Sequence, residues 1–217
     1  MSTEYGNTLF FNSLHFTIAR FSDTFVCSIN SVIFPSMLNT RVGRVDVVRT
    51  YLEMRQITAL RPAKSMLAGT ALTCEILNAT DYRALYSAVG QHWHWRDRLK
   101  LSDEVLNAYF ASDDVKLWVL RTVADLAGYF ELQRHRDGRV EIMYFGLTPA
   151  YIGRGLGGWL LTRAVEEAFA LGASRVTLHT CTLDAPAALP NYLARGFVVV
   201  REETYVEEIA STAVVAE

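Results

Sequence analysis

An α/β domain, one mixed and mostly antiparallel sheet with helices on both faces, is what the sequence of this 217-residue chain predicts, and three stretches predict it. Residues 140–147 read as a strand that is apolar at both parities. Met143, Phe145 and Leu147 lie on one side, Val140, Ile142 and Tyr144 on the other, with Glu141 the one charge inside. Such a strand is covered on both faces and belongs in the middle of a sheet. A long amphipathic helix follows, with Leu160, Leu161, Ala164, Val165, Ala168, Phe169 and Leu171 at helical spacing. Residues 175–182 then form another strand, and the helical crossover makes it parallel to the first. On the upstream side Asp137-Gly138 is a two-residue hairpin signal, so the neighbours there are antiparallel.

Taken in order, residues 1–43 are rich in Ser, Thr, Asn and Phe and show no sustained periodicity. Three readings stay open for them: a poorly ordered extension, a family-specific addition, or sequence upstream of a true start at Met37. Glu4 and the lack of a basic n-region speak against a secretory signal. The organised part spans residues 44–208, with residues 209–217 as a tail. Residues 48–55 alternate as a first strand, Arg61-Pro62 breaks it, and an irregular stretch leads to Thr80-Asp81, a cap for a helix over residues 82–89. Ser102 opens a second helix to about Ala111. Residues 116–123 and 126–134 are strands joined tightly around Ala124-Asp125. After the long helix Gly172 caps its C-terminus. Asp184 caps a short helix that Pro190 kinks, and residues 198–206 form the closing strand.

Composition excludes several classes. A net charge of −2 gives no reason to expect nucleic acid or an anionic membrane as partner. No apolar run is long enough to span a bilayer as a helix. Cys27, Cys74 and Cys181 are odd in number and widely spaced, which argues against a disulfide framework or metal knuckle and for a reducing cytosol.

Between the central strand and the long helix runs Ile152-Gly153-Arg154-Gly155-Leu156-Gly157-Gly158. The free N–H groups and dipole of a helix start, approached through side-chain-free glycines, form a site for phosphate. The spacing fits neither a P-loop nor a dinucleotide fingerprint. It resembles the acyl-CoA pyrophosphate loop of the GNAT superfamily of N-acyltransferases, usually Q/R-x-x-G-x-G/A, with Ile152 where the pattern has Gln or Arg. Downstream, Tyr192-Leu193-Ala194-Arg195-Gly196-Phe197 is similar to the superfamily's Y-x-x-x-G-F signature. The resemblance implies a GNAT-like fold in which two parallel strands splay and hold the pantetheine arm beside Phe145-Gly146-Leu147. It further implies acetyl-CoA as co-substrate, no metal, and a transfer by direct attack in a ternary complex.

Aminolysis of a thioester needs a free amine, a donor for the oxyanion and a proton for the thiolate. Glu141 is the candidate base: burial would raise its pKa, and it stands where histone-acetylating members keep their catalytic glutamate. The alternative pairs it with Arg121 or Arg134. The resemblance implies the Leu147 N–H as oxyanion donor and Tyr192 as general acid, against a Tyr192 that only packs on the cofactor. His179 is either a second base or a hydrogen-bonded core histidine, and Cys181 a filler rather than a nucleophile. The cluster at residues 92–98 lacks zinc spacing. The resemblance implies an acceptor wall here, for which Trp93, Trp95 and Asp97, with Tyr82 and Tyr86, are the candidates. The alternative is ordinary packing of the loop onto the sheet. The expected acceptor is a small-molecule or peptide amine, and a homodimer stays open. The competing readings are another acyl chain, an oxygen acceptor, or a regulator that binds acyl-CoA without turnover.

Overall fold

Seven strands, β2-β3-β4-β5-β6-β1-β7 in spatial order, form one sheet among the described residues. Their ranges are β1 Arg41–Met54, β2 Thr70–Glu75, β3 Val115–Thr122, β4 Leu126–Arg134, β5 Arg139–Leu147, β6 Arg175–Cys181 and β7 Val198–Ser211. The helices are α1 Ala79–Gly90, α2 Asp103–Phe110, α3 Leu156–Ala170 and α4 Ala188–Ala194. This is a computed structural model, and it describes residues 41–64, 69–123 and 125–211. The expectations for residues 1–40 and 212–217 lie outside the described residues.

β5 is the middle strand, as its two apolar parities require. On one side it runs antiparallel to β4. On the other it meets β6 in parallel through only three residue pairs, Arg139↔Arg175, Val140↔Val176 and Glu141↔Thr177. Immediately beyond, the β4–β5 register slips: Leu132 faces Ile142 and Glu131 faces Tyr144, which leaves Met143 as an extra residue. A bulge bends the strand that carries it. The two parallel strands therefore diverge, and residues 142–147 have no ladder partner on the β6 side.

β1 is inserted between β6 and β7, antiparallel to both. The place beside β3 is taken by β2, a strand inside the stretch expected to be irregular. Its sequence TALTCE alternates weakly and leaves Ala71 and Thr73 exposed, as an edge strand can.

Helix signals shift by a residue or two. α1 is capped by Asn78, whose side chain accepts from Asp81 N–H at 2.9 Å, rather than by Thr80 or Asp81. Ser102 caps α2 as expected. Asp184 does not cap α4, and Pro190 does not kink it. The proline sits in the first turn, where no N–H is needed. The β4–β5 connection is a three-residue loop, Arg136-Asp137-Gly138, closed by His135 N–H on Arg139 O at 2.9 Å.

Two cores sandwich the sheet. α3 buries Leu156, Leu160, Leu161, Ala164, Val165 and Ala168 against one face, each large aliphatic side chain contributing about 1.5–3 kcal/mol. On the other face α1 and α2 pack Tyr82, Tyr86, Val89, Leu106 and Phe110 against Leu117, Val119 and Tyr129. Inside this second core lies a fully buried carboxylate. Glu131 accepts from Arg98 Nη2 at 2.5 Å, Tyr109 Oη at 2.6 Å and Tyr82 Oη at 2.7 Å. Arg98 belongs to the loop between α1 and α2, so the ion pair fixes that loop to β4. Removing one partner of a buried pair strands the other charge. Glu131→Ala is expected to cost about 3–5 kcal/mol in urea unfolding. Arg134→Ala, which breaks a half-exposed pair with Asp114, should cost under about 1 kcal/mol.

Candidate active site

Where β5 and β6 part, a cavity of about 700 Å³ opens. Phe145, Gly146 and Leu147 of β5 form one wall, Leu178, His179 and Cys181 of β6 the other, and Gly153, Gly155, Gly157 and Gly158 close one end. Thr148 N–H donates to Ala127 O across β4 at 3.0 Å. Strand alternation then turns the N–H and C=O groups of Phe145 and Leu147 to the opposite side, toward the seam. Gly146 permits α1 to approach, since a Cβ there would lie 2.5 Å from Val89 Cγ1.

The glycine-rich turn is built as a cradle. Gly153 and Gly155 take φ of 79° and 78°, a left-handed backbone that side chains disfavour. No side chain caps the start of α3, which leaves the first amides free. A Cβ at Gly153 would meet nothing within 4 Å, and one at Gly157 only Asn191 Nδ2 at 3.8 Å and Leu147 Cδ1 at 3.9 Å. The concavity is thus open to a diphosphate held by amides and helix dipole. Ile152 lines it, exposed at 45 %. Two members of the motif do not reach in with their side chains. Leu156 is fully buried in the core and offers only its amide. Arg154 does not line the cavity and lies over the Tyr151 ring at 5.1 Å.

Tyr192 lines the cavity from α4, its ring 6.1 Å from Phe145. Burial and then the negative charge of Asp184 push its phenol above the ordinary value, so it stays protonated at neutral pH. Trp93, Trp95 and Asp97 line the opposite wall together with Tyr86 and Tyr144. The Trp95 indole reaches across to Asp184 at 3.3 Å, while that carboxylate also accepts from Thr180 Oγ1 at 2.7 Å and Cys181 N–H at 3.0 Å. Tyr82 is not part of the wall. It is 0 % exposed, and its hydroxyl is committed to Glu131.

Glu141 also departs from expectation. It does not line the cavity, and its pKa lies below the ordinary 4.5. Burial works to raise it, but the His179 and Arg139 side chains together outweigh burial. Arg139 Nη1 stands 2.7 Å from Oε2, His135 Nε2 3.1 Å from the same oxygen, and His179 Nδ1 3.6 Å from Oε1. Arg121 and Arg134, the expected partners, pair with Glu75 and Asp114. Residues outside the expected set that face the cavity include Arg49, His94, Tyr205 and Glu207. Arg49, Tyr205 and Glu207 arrive through the placement of β1 beside β7, which local sequence does not announce.

A mixed sheet whose central parallel strands splay beside a glycine-rich helix start defines an acyl-CoA-type transferase fold. The chain belongs to the GNAT acetyltransferase family, whose model matches residues 81–197. It is 32 % identical over 123 residues to the mycothiol acetyltransferase of Corynebacterium efficiens, an alignment covering 54 % of this chain and 40 % of that protein. The chain therefore spans less than half the length of this relative. Among solved structures, a GCN5-related N-acetyltransferase from Sphaerobacter thermophilus superposes with TM-score 0.54 at 18 % identity, covering 79 % of this chain and 54 % of that one. One from Kribbella flavida gives 0.51 at 16 % identity over 77 % and 60 %. At these identities the superpositions establish the fold.

Because the folded pKa of Glu141 is depressed, its ion pairs contribute stability that is fully present above the unfolded value of about 4.5 and is lost as pH falls through the folded value. Glu141→Gln should therefore lose less stability than the wild type as thermal melts are taken from above pH 4.5 to below it.

Proposed function

We propose that the chain is an acetyl-CoA-dependent N-acetyltransferase that moves the acetyl group to a primary amine by direct attack in a ternary complex. The observation that carries this is the three-pair limit of the β5–β6 ladder beside an uncapped helix start. An extended arm can add to the exposed edge of β5 as a strand would, while the amides at the start of α3 hold its diphosphate end. The arm then brings its thioester into the cavity that Tyr192 lines. The Leu147 N–H, turned into the seam, is the expected oxyanion donor, and the Tyr192 phenol the proton source for the departing thiolate.

The acceptor side favours an amine. Asp97, Asp184 and Glu207 face the cavity against one guanidinium, Arg49, and indole and phenol rings from Trp93, Trp95 and Tyr86 complete the wall. Carboxylates and aromatic faces attract an ammonium ion. The relative's name, mycothiol acetyltransferase, supports acetyl as the group moved. A small-molecule or peptide amine, met in the cytosol, fits the reading.

The test is release of free CoA from acetyl-CoA against a panel of primary amines. Turnover with one or more amines supports the reading, and Tyr192→Phe should lower kcat by about 100-fold with unchanged acetyl-CoA affinity. Acetyl-CoA binding without turnover on any amine would instead mark a binding regulator. Gly157→Glu places bulk and negative charge where the diphosphate belongs. Its melting temperature should stay close to wild type, because the new Cβ meets only ordinary contacts, while calorimetry should detect no acetyl-CoA binding. Unchanged affinity in that variant would remove the diphosphate from the glycine turn.

A further inference from the structure

His179 is not a core histidine: its side chain is 38 % exposed and lines the cavity from β6, on the wall opposite Phe145. The groups that face it come from three strands. From β5 it meets Glu141, whose Oε1 is 3.6 Å from Nδ1 and which is tied on its far side to Arg139. From β1, its cross-strand partner Tyr51 places its ring 5.8 Å away. From β7 it feels Glu203, which is occupied by the Tyr51 hydroxyl at 2.6 Å and by Arg201 at 3.1 Å. Of these, Glu141 is the carboxylate in ion-pair reach of the ring.

That arrangement favours one form of the ring. A carboxylate can only accept, so the neutral tautomer that suits this pair carries its hydrogen on Nδ1. Nε2, on the other edge of the ring, then keeps its lone pair. The same carboxylate stabilises the imidazolium that forms when Nε2 is protonated. Asp184, a competing base in the cavity, is already committed to three donors.

Resting on the proposed acetyl transfer, we infer that His179, oriented by Glu141, takes the proton from the attacking nitrogen of the acceptor amine. As the free amine forms its C–N bond, the nitrogen gives up one proton to His179 Nε2. The C–S bond breaks with its electron pair on sulfur, and the thiolate takes the Tyr192 proton. His179 then returns its proton through solvent to the Tyr192 phenolate, which closes the balance at one amide and one free thiol. Glu141 in this scheme is a positioning residue: it acts through the imidazole.

The first measurement needs no acceptor. Long-range ¹H–¹⁵N spectra of the whole chain, with the His179 signals identified by their loss in His179→Gln, should show the Nδ1–H form. In Glu141→Gln, which removes the charge facing Nδ1, that tautomer preference should weaken. An Nε2–H ring, or a tautomer indifferent to Glu141→Gln, would overturn the pairing. The second uses the amine that turns over in the screen. His179→Gln should lower kcat/KM about 100-fold and abolish its acidic limb, while Glu141→Gln keeps the limb at a lower kcat/KM. Retention of activity within twofold and of the limb in His179→Gln would overturn the proposal. A merely structural His179 would lower the melting temperature without touching the limb. Failure of wild type to bind acetyl-CoA by calorimetry is the distinct sign that the acetyl-transfer reading itself is wrong.

Discussion

Everything the site can do depends on β5 and β6 ceasing to pair after Glu141↔Thr177. Had the ladder continued, the middle of the sheet would be closed, and the backbone groups of Phe145 and Leu147 would be consumed by β6. The bulge at Met143 bends β5 away at the point of parting. An unpaired strand edge is normally a liability that folds cover or charge. Here it lies in a cavity between two sheet halves and opens toward the start of α3.

The cavity wall formed by the α1–α2 loop rests on a second device. The loop between α1 and α2 contains no long regular element, only short 3₁₀ turns over Gln91–Trp93 and Arg98–Lys100. It is held instead by Arg98, whose guanidinium is desolvated against Glu131 and lies 4.2 Å over the Tyr109 ring. Such a pair adds little net stability compared with apolar packing, but its geometry is unforgiving. It therefore serves position more than stability, placing Trp93, Trp95 and Asp97 across from His179. The indole of Trp95 spans the cavity to Asp184, so the wall and the β6–α4 connection are joined by one hydrogen bond.

The half of the fold around the β5–β6 seam was legible in the sequence because its signals are local. Two apolar parities named the middle strand, glycines and a helical period named the cradle and α3, and Tyr192 sits in a short motif. What failed depended on partners distant in the chain. Alternation in residues 48–55 marks a strand but says nothing of its neighbours, so its place between β6 and β7 could not be read. β2 was missed because an edge strand of Thr, Ala and Cys has little pattern to show. Tyr82 was a candidate for the acceptor wall, whereas Glu131, far along the chain, holds its hydroxyl in the core. Burial alone suggested a raised pKa for Glu141. The correction was partly readable, since Arg139 lies two residues away on the same strand face, but His179 approaches from another strand.

The position of β1 has a consequence for how the chain comes to its native state. Val48 donates to Thr182, 134 positions later, and Arg49 pairs with Glu203, 154 positions later. The first of the described strands to be made is thus among the last of them to find its neighbours, and during synthesis it waits on the order of 10 s for them. Until then two hydrogen-bonding edges, not one, stay open, and closing such distant pairs is slow. A chain cut short anywhere before β7 would leave β1 with a bare flank, so truncation late in the sequence damages the earliest part of the sheet.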